Sequence, residues 1–339
     1  MPILAAYFDV SDISLLIENE KKDFELVNFP YTYSFEAFSN QCHKAAFYKA
    51  ALEAVLRERK EKLSSFEVLA VGFLEAPVLP TKTILTTNLL NVLQISDNIY
   101  PIIVNNFSIL TRDSVLSYEP SSKKIIGVDT SEKDEFANTS IYPQIIPTDM
   151  SITSALDRNI PDKLSSVDLG YESGATLAFG GSRFSRPVVN EYLDYILMVD
   201  LVKKPGTYNL YADRKNSAVL FSLLRMYQKG LGLDIKASAE PVGTLINSPG
   251  DTECLLVSEV GTTQFFGVKK DTLFIMPLDS NVKAKVKVKS KSLGSFETFV
   301  QGGKVGLIID TRENKSPISD NVEVFNDCVR QLSLCLPRF

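Results

Sequence analysis

Two aspartates set beside short polar turns are the residues of this 339-residue chain best placed to do chemistry. Asp168 lies in Ser166-Val-Asp-Leu-Gly-Tyr-Glu-Ser-Gly-Ala-Thr-Leu-Ala-Phe-Gly-Gly-Ser182, a run that reads as strand, tight turn and strand. Gly170, Ser173 and Gly174 populate the turn. Glycine there permits positive φ and close backbone approach, and Ser173 can cap the turn or donate to an oxyanion. Such a turn wraps N–H groups around a phosphate while the carboxylate holds a hydrated Mg²⁺. Taken by itself, the stretch reads first as a β-hairpin with a glycine-bearing turn. Asp9 closes the apolar run Ile3–Phe8, and Ser11 and Ser14 follow it as hydroxyl donors.

Bulk properties narrow the classes. The length predicts two lobes, and 45% hydrophobic with 23% charged residues is globular. A net charge of −5 argues against a nucleic-acid surface. The start Met1-Pro-Ile-Leu-Ala-Ala-Tyr-Phe has no basic region and does not read as a signal peptide, and no uncharged apolar run spans a bilayer. A cytoplasmic location is the expectation. Cys42, Cys254, Cys328 and Cys335 form no CxxC pair, and His43 is the sole histidine, so neither a Cys/His zinc site nor a histidine-based nucleophile is expected. Cys328 and Cys335, seven apart in a helical pattern, are expected on one packed face.

The elements that must position the aspartates follow from periodicity. Residues 3–9, 14–19 and 24–29 read as a meander, then a helix over about 42–63 and a buried strand at 66–73. Thr83–Ile95 is open between helix and strand; 100–104 and 107–111 read as strands, 121–138 as a polar loop. Helices are expected at 187–201, 217–230 and 322–336. Ser248-Pro-Gly-Asp-Thr-Glu reads as a capped helix start continuing through Cys254–Val260. Lys283-Ala-Lys-Val-Lys-Val-Lys-Ser-Lys291 alternates strictly, so one face carries every lysine; it reads as a protected edge strand, pairing with Phe296–Val300.

Asp168-x-Gly170-x-x-Ser173-x-Ala175 resembles the second phosphate loop of the actin, sugar-kinase and Hsp70 superfamily, and Asp9, half a chain earlier, matches the carboxylate of its first loop. The resemblance implies a two-lobed actin-like α/β fold closing on ATP and Mg²⁺. Asp9 and Asp168 would order the metal, Ser11, Gly170, Ser173 and Gly174 would contact phosphate, Gly243 would lie in the adenosine loop, and Glu75 would position attacking water. Met276-Pro-Leu-Asp, Gly294-Ser-Phe-Glu and Gly302-Gly-Lys-Val-Gly-Leu-Ile-Ile-Asp-Thr-Arg312 resemble the tail of glutamate mutase L-type proteins. The expected division is 1–158 for the N-terminal lobe, 159–271 for the second lobe and 272–339 for a small β-rich C-terminal portion with a closing helix.

The chain departs from the family pattern. Phe8-Asp-Val-Ser-Asp-Ile-Ser14 holds no glycine, Val10 is β-branched where backbone must turn toward phosphate, and Asp12 adds unfavourable charge. Glu172 adds more at the second loop, and Gly243 lacks the family's usual glycine pair. Two functions of different class follow. One is an actin-like scaffold or assembly protein with degenerate nucleotide loops, binding partner proteins, in a peripheral membrane complex or an oligomer, with weak or absent ATPase and no required cofactor. The other is an active ATP-dependent reactivase or maturation factor of the glutamate mutase L type.

Overall fold

A computed structural model describes residues 2–8, 12–19, 23–30, 41–72, 84–88, 99–104, 108–111, 114–119, 124–129, 172–185, 191–227, 238–259 and 261–336. The chain opens with β1 (Ile3–Phe8), β2 (Asp12–Glu18) and β3 (Phe24–Pro30), then α1 (Gln41–Glu58), β4 (Glu67–Gly72) and β5 (Ile84–Asn88). β1, β2 and β3 are an antiparallel meander. β4 runs parallel to β1 and β5 parallel to β4, giving the order β3-β2-β1-β4-β5. β1 is buried on both faces, which explains its unbroken apolar run. Leu4, Ala6 and Phe8 pack with Leu52, Val55 and Leu56 of α1. Ile3, Ala5 and Tyr7 point the other way.

The second sheet repeats this plan. It holds β6 (Tyr100–Val104), β7 (Ser108–Leu110), β8 (Ser114–Glu119), β9 (Lys124–Asp129), β10 (Thr176–Gly180) and β11 (Gly206–Ala212). β6, β7 and β8 are an antiparallel meander, and β10 and β11 run parallel to β6, so β8-β7-β6-β10-β11 matches β3-β2-β1-β4-β5 strand for strand. β9 extends one side of this core. β12 (Glu240–Asn247), β18 (Gly306–Asp310) and β15 (Leu273–Met276) extend the other. The fold is a two-lobed α/β architecture with one strand plan in both sheets, as the actin-like resemblance implies, and the duplication begins at β1 and β6.

Among the described residues, four helices serve the second sheet: α2 (Ser182–Ser185), α3 (Glu191–Asp200), α4 (Ser217–Tyr227) and α5 (Val322–Cys335). α3 and α5 cover one face, where Tyr195, Met198, Cys328 and Leu332 meet Phe179 and Tyr208. α4 fills the space between the sheets: Ala218, Leu220, Phe221 and Leu224 share one core with Ile3, Tyr7 and Leu16 of the first sheet and Ile103, Ala178 and Tyr211 of the second. Each large side chain so buried contributes roughly 1.5–3 kcal/mol. Along these residues the two lobes share a packed core. A third sheet, in the order β14-β13-β16-β17, comprises β13 (Thr252–Ser258), β14 (Thr263–Val268), β16 (Lys283–Ser290) and β17 (Gly294–Gln301). Its apolar face packs on Ile246, Leu307 and Ile309.

Several expectations are corrected. Sheet membership does not follow the boundaries at 158 and 271: β6–β9 belong with β10–β12, and β15 and β18 join the same sheet. Residues 124–129, expected in a polar loop, form β9. The segment expected to continue as a helix from Cys254 is β13 as far as Ser258, because buried Thr252, Cys254 and Leu256 alternate with exposed Glu253 in period two, and Val260 lies outside the described residues. The lysine-bearing β16 keeps its one-sided pattern but is an inner strand, flanked by β13 and β17. Its lysines face solvent, where Lys285 and Lys287 pair with Glu297 and Lys289 with Glu253. Cys328 and Cys335 pack on one core as expected, and burial pushes the thiols of Cys254 and Cys335 up to about 11 and Cys328 to about 12.

Candidate functional site at the lobe junction

Parallel strands place function at their carboxyl ends. β6, β10 and β11 end together at Val104, Gly180-Gly181 and Asp213, beside β2 of the first lobe. Gly181 has φ +91, and a Cβ there would sit 2.6 Å from the Val104 carbonyl oxygen, so glycine is required by conformation and by space. The Gly181 N–H donates to Asn216 Oδ1 at 2.7 Å. Asn216 Nδ2 in turn donates to Ser14 Oγ on β2 at 2.9 Å. Asn216, Ser14 and Asp213 are fully buried. Asn216 adopts φ 53, a left-handed conformation that asparagine tolerates better than most residues.

The turn after β11 is built around Asp213. Its Oδ1 accepts from the Ser217 N–H at 2.7 Å and from Ser217 Oγ at 2.6 Å, and its Oδ2 from the Ala218 N–H at 2.7 Å. The carboxylate therefore occupies the positive end of α4, satisfying amides that a helix start leaves open. Burial raises its pKa, and these donors work against the rise. The following residue, Arg214, receives Asn28 Nδ2 of β3 on its carbonyl at 2.8 Å, a second bond between the lobes. Its guanidinium reaches Glu240 at 3.2 Å, Asp194 at 3.5 Å and Glu191 at 3.7 Å, while Arg183 reaches Asp194 at 3.3 Å.

Of the residues predicted for the site, the described ones do not come together: Ser173 and Gly174 lie apart from Gly243. Asp9, Ser11, Glu75, Asp168 and Gly170 lie outside the described residues. Ser173 and Gly174 form an exposed turn at the amino end of β10, opposite the carboxyl ends. Ser173 Oγ accepts from the Thr207 N–H at 3.1 Å, and Gly174 donates to the Thr207 carbonyl at 2.7 Å, so both staple the start of β11. The expected hairpin does not form on β10, because β6 holds one of its edges and β11 the other. Gly243 is not in an adenosine loop: it lies within β12 at φ +149, where a Cβ would meet the Gly306 carbonyl at 1.9 Å. By topology the counterpart of the Asp9 turn is the β6–β7 connection, residues 105–107, whose sequence Asn-Asn-Phe carries no carboxylate.

The glycine pair Gly180-Gly181 closes β10 at its carboxyl end, a signal that the Asp168 turn overshadows in the sequence. It does not present a free cradle for phosphate. A Cβ on Gly180 would meet Asn216 Oδ1 at 3.1 Å, the Gly181 amide is bound to Asn216, and the first amides of α4 are bound to Asp213. The described residues here therefore do not fit ATP and Mg²⁺, since their donors already serve the chain itself. Among the described residues no three His, Cys, Asp or Glu side chains cluster as a metal site, and no helix is long and apolar enough to cross a membrane.

No family model matches the chain, and no curated protein does. Among solved structures it is similar to the ethanolamine utilization protein EutJ from Carboxydothermus hydrogenoformans, with 11% identity, 67% of this chain and 90% of that chain covered, and a TM-score of 0.33. It is also similar to the type II variant of the Aquifex aeolicus Ppx/GppA phosphatase, with 10% identity, 55% and 69% covered, and a TM-score of 0.25.

Proposed function

We propose that this chain is an actin-like assembly scaffold that works through protein–protein contacts and binds nucleotide weakly or not at all. One observation carries the proposal: the Asn216 amide fills the space beside the glycine pair and ties it to Ser14 of the other lobe. A lobe junction closed by buried hydrogen bonds and a shared core suits a body that presents surfaces. Such surfaces are at hand on the third sheet. Phe265 and Phe299 are 69% and 76% exposed, and a groove of about 420 Å³ there is lined by Leu255, Phe265, Lys287 and Glu297 among others.

Titration calorimetry with Mg-ATP, together with thermal unfolding, tests the proposal. The expected result is no saturable heat and no rise in Tm at about 1 mM nucleotide. A ligand bound at one hundredth of that concentration would stabilise the fold by about 2.7 kcal/mol. Saturable micromolar binding would overturn the scaffold proposal and favour an ATP-dependent maturation factor of the kind the C-terminal resemblance implies.

A further inference from the structure

The lysines that ordinarily protect a sheet edge are, in the third sheet, one strand in from the β17 edge and two strands in from the β14 edge. β16 is internal, and the edge farther from it is β14, Thr263-Gln-Phe-Phe-Gly-Val268, with no charge and no proline. Among the described residues β14 pairs only with β13. The Ser258 N–H bonds to the Thr262 carbonyl in the same ladder. Hydrogen-bonded pairs alternate along an antiparallel ladder, so Gln264, Phe266 and Val268 direct their backbone groups to β13. Thr263, Phe265 and Gly267 therefore direct theirs outward. All three are exposed.

We propose that β14 is a self-pairing edge, joining two copies of this chain antiparallel about a two-fold axis at Phe265. This goes beyond the scaffold reading and does not depend on it. In that register Phe265 faces Phe265 of the second copy, and Thr263 faces Gly267 in both directions, so every outward amide and carbonyl of the edge is used. Registers shifted by two residues leave one of the three without a partner. The ring pair is a favourable cross-strand contact, and the glycine leaves open space beside it. The lysine faces of the two copies lie on the same side of the joined sheet. The β16 rows are then five strand spacings apart, about 24 Å, well beyond the screening length of about 8 Å. An edge contact of this kind falls below about 1,200 Å², so the dimer is weak and concentration-dependent.

Sedimentation equilibrium of the full chain between about 1 µM and about 1 mM spans the range that separates micromolar from millimolar association. The expected result is a monomer–dimer equilibrium whose Kd rises at least tenfold in Phe265→Lys and in Gly267→Pro. Both changes fall on outward-facing edge positions, where a lysine or a proline leaves the β13 ladder intact, and unchanged far-UV circular dichroism checks this. Phe299→Lys, on the same face but another strand, should leave the Kd unchanged. Register is read by oxidation. Phe265→Cys should form a disulfide dimer, because an opposed hydrogen-bonded pair has a Cα separation of about 5.5 Å. Thr263→Cys should not, because its counterpart lies about 14 Å away. A monomer across the whole range, a dimer that survives Phe265→Lys, or equal cross-linking at both positions would overturn the proposal.

Discussion

Two buried carboxylates, Asp310 and Asp194, each lie between two cations, yet they respond in opposite directions. At the end of β18, Asp310 accepts from Arg312 Nε at 3.0 Å, from Arg312 Nη2 at 2.9 Å and from the Arg312 N–H at 3.1 Å, and Lys315 Nζ lies at 2.7 Å. Burial pushes its pKa up, but Arg312 and Lys315 more than offset this, and the group titrates below the ordinary carboxylate range. On α3, Asp194 has Arg183 at 3.3 Å and Arg214 at 3.5 Å, and neither oxygen accepts an aligned hydrogen bond. Burial there prevails and raises the pKa to about 6. Proximity of charge does not by itself compensate a buried carboxylate; aligned donors do.

The largest expected effect comes from breaking the aligned side. Arg312 also binds Asp200 at 3.0 Å and the Ser316 carbonyl at 3.0 Å, fastening β18 to α3 and to the segment before α5. Arg312→Ala leaves two buried carboxylates without their fork and should cost about 3–5 kcal/mol in urea unfolding. Arg312→Lys should recover only part, because an ammonium cannot reproduce the bidentate geometry. A loss under about 1 kcal/mol would mean that Asp310 is not held as described.

The loose side should behave in reverse. Asp194 has a folded pKa near 6 against 3.8 for the free group, so the folded state binds more protons between those values. Stability is then lost as pH rises from about 4 to about 6, and the penalty is complete above that. Asp194→Asn, which mimics the protonated form, should match the wild type near pH 4 and exceed it at pH 8. The gain is up to about 3 kcal/mol for roughly two pKa units. Asp310 has the opposite sign: its contribution is present above pH 4 and fades as pH falls through its lowered pKa. Parallel pH profiles for wild type and Asp194→Asn would remove the contrast.

Much of the fold was legible in the sequence, because burial imposes periodicity. The apolar run of β1, the period-two lysines of β16 and the stripe Leu220, Leu223 and Leu224 of α4 each announced their element. Partnership was less legible. The pattern of β16 gives one exposed face, which an edge strand and an inner strand share, and only pairing with both β13 and β17 separates them. The duplication is less legible still, because the β6–β7 connection carries no aspartate to match Asp9, whereas Asp168 does match it in residue type half a chain away. At the junction, Asn216 and Ser14 are 202 residues apart, and nothing local in either marks the other. The Asp310-Thr-Arg312 string stood out in the sequence, and its role is to fasten the core: Thr311 Oγ1 donates within reach of the Thr272 and Lys269 carbonyls at 2.8 and 2.6 Å.

The smallest expected effect extends the contrast to a site without net charge. Ser14 and Asn216 join the lobes through neutral groups, so their contribution should be flat between pH 4 and pH 8, where the Asp194 penalty develops. Ser14→Ala removes one acceptor and should cost about 1 kcal/mol. Asn216→Ala also strands the Gly181 amide and should cost about 2 kcal/mol. In the double variant the shared bond is counted once, so its loss should fall short of the sum of the two single losses by about 1 kcal/mol. That shortfall is the informative number. Additivity within about 0.3 kcal/mol would mean that the serine and the amide do not meet in solution and that the junction opens. The glycine pair would then be free for a ligand, and the closed junction on which the scaffold proposal stands would be lost with it.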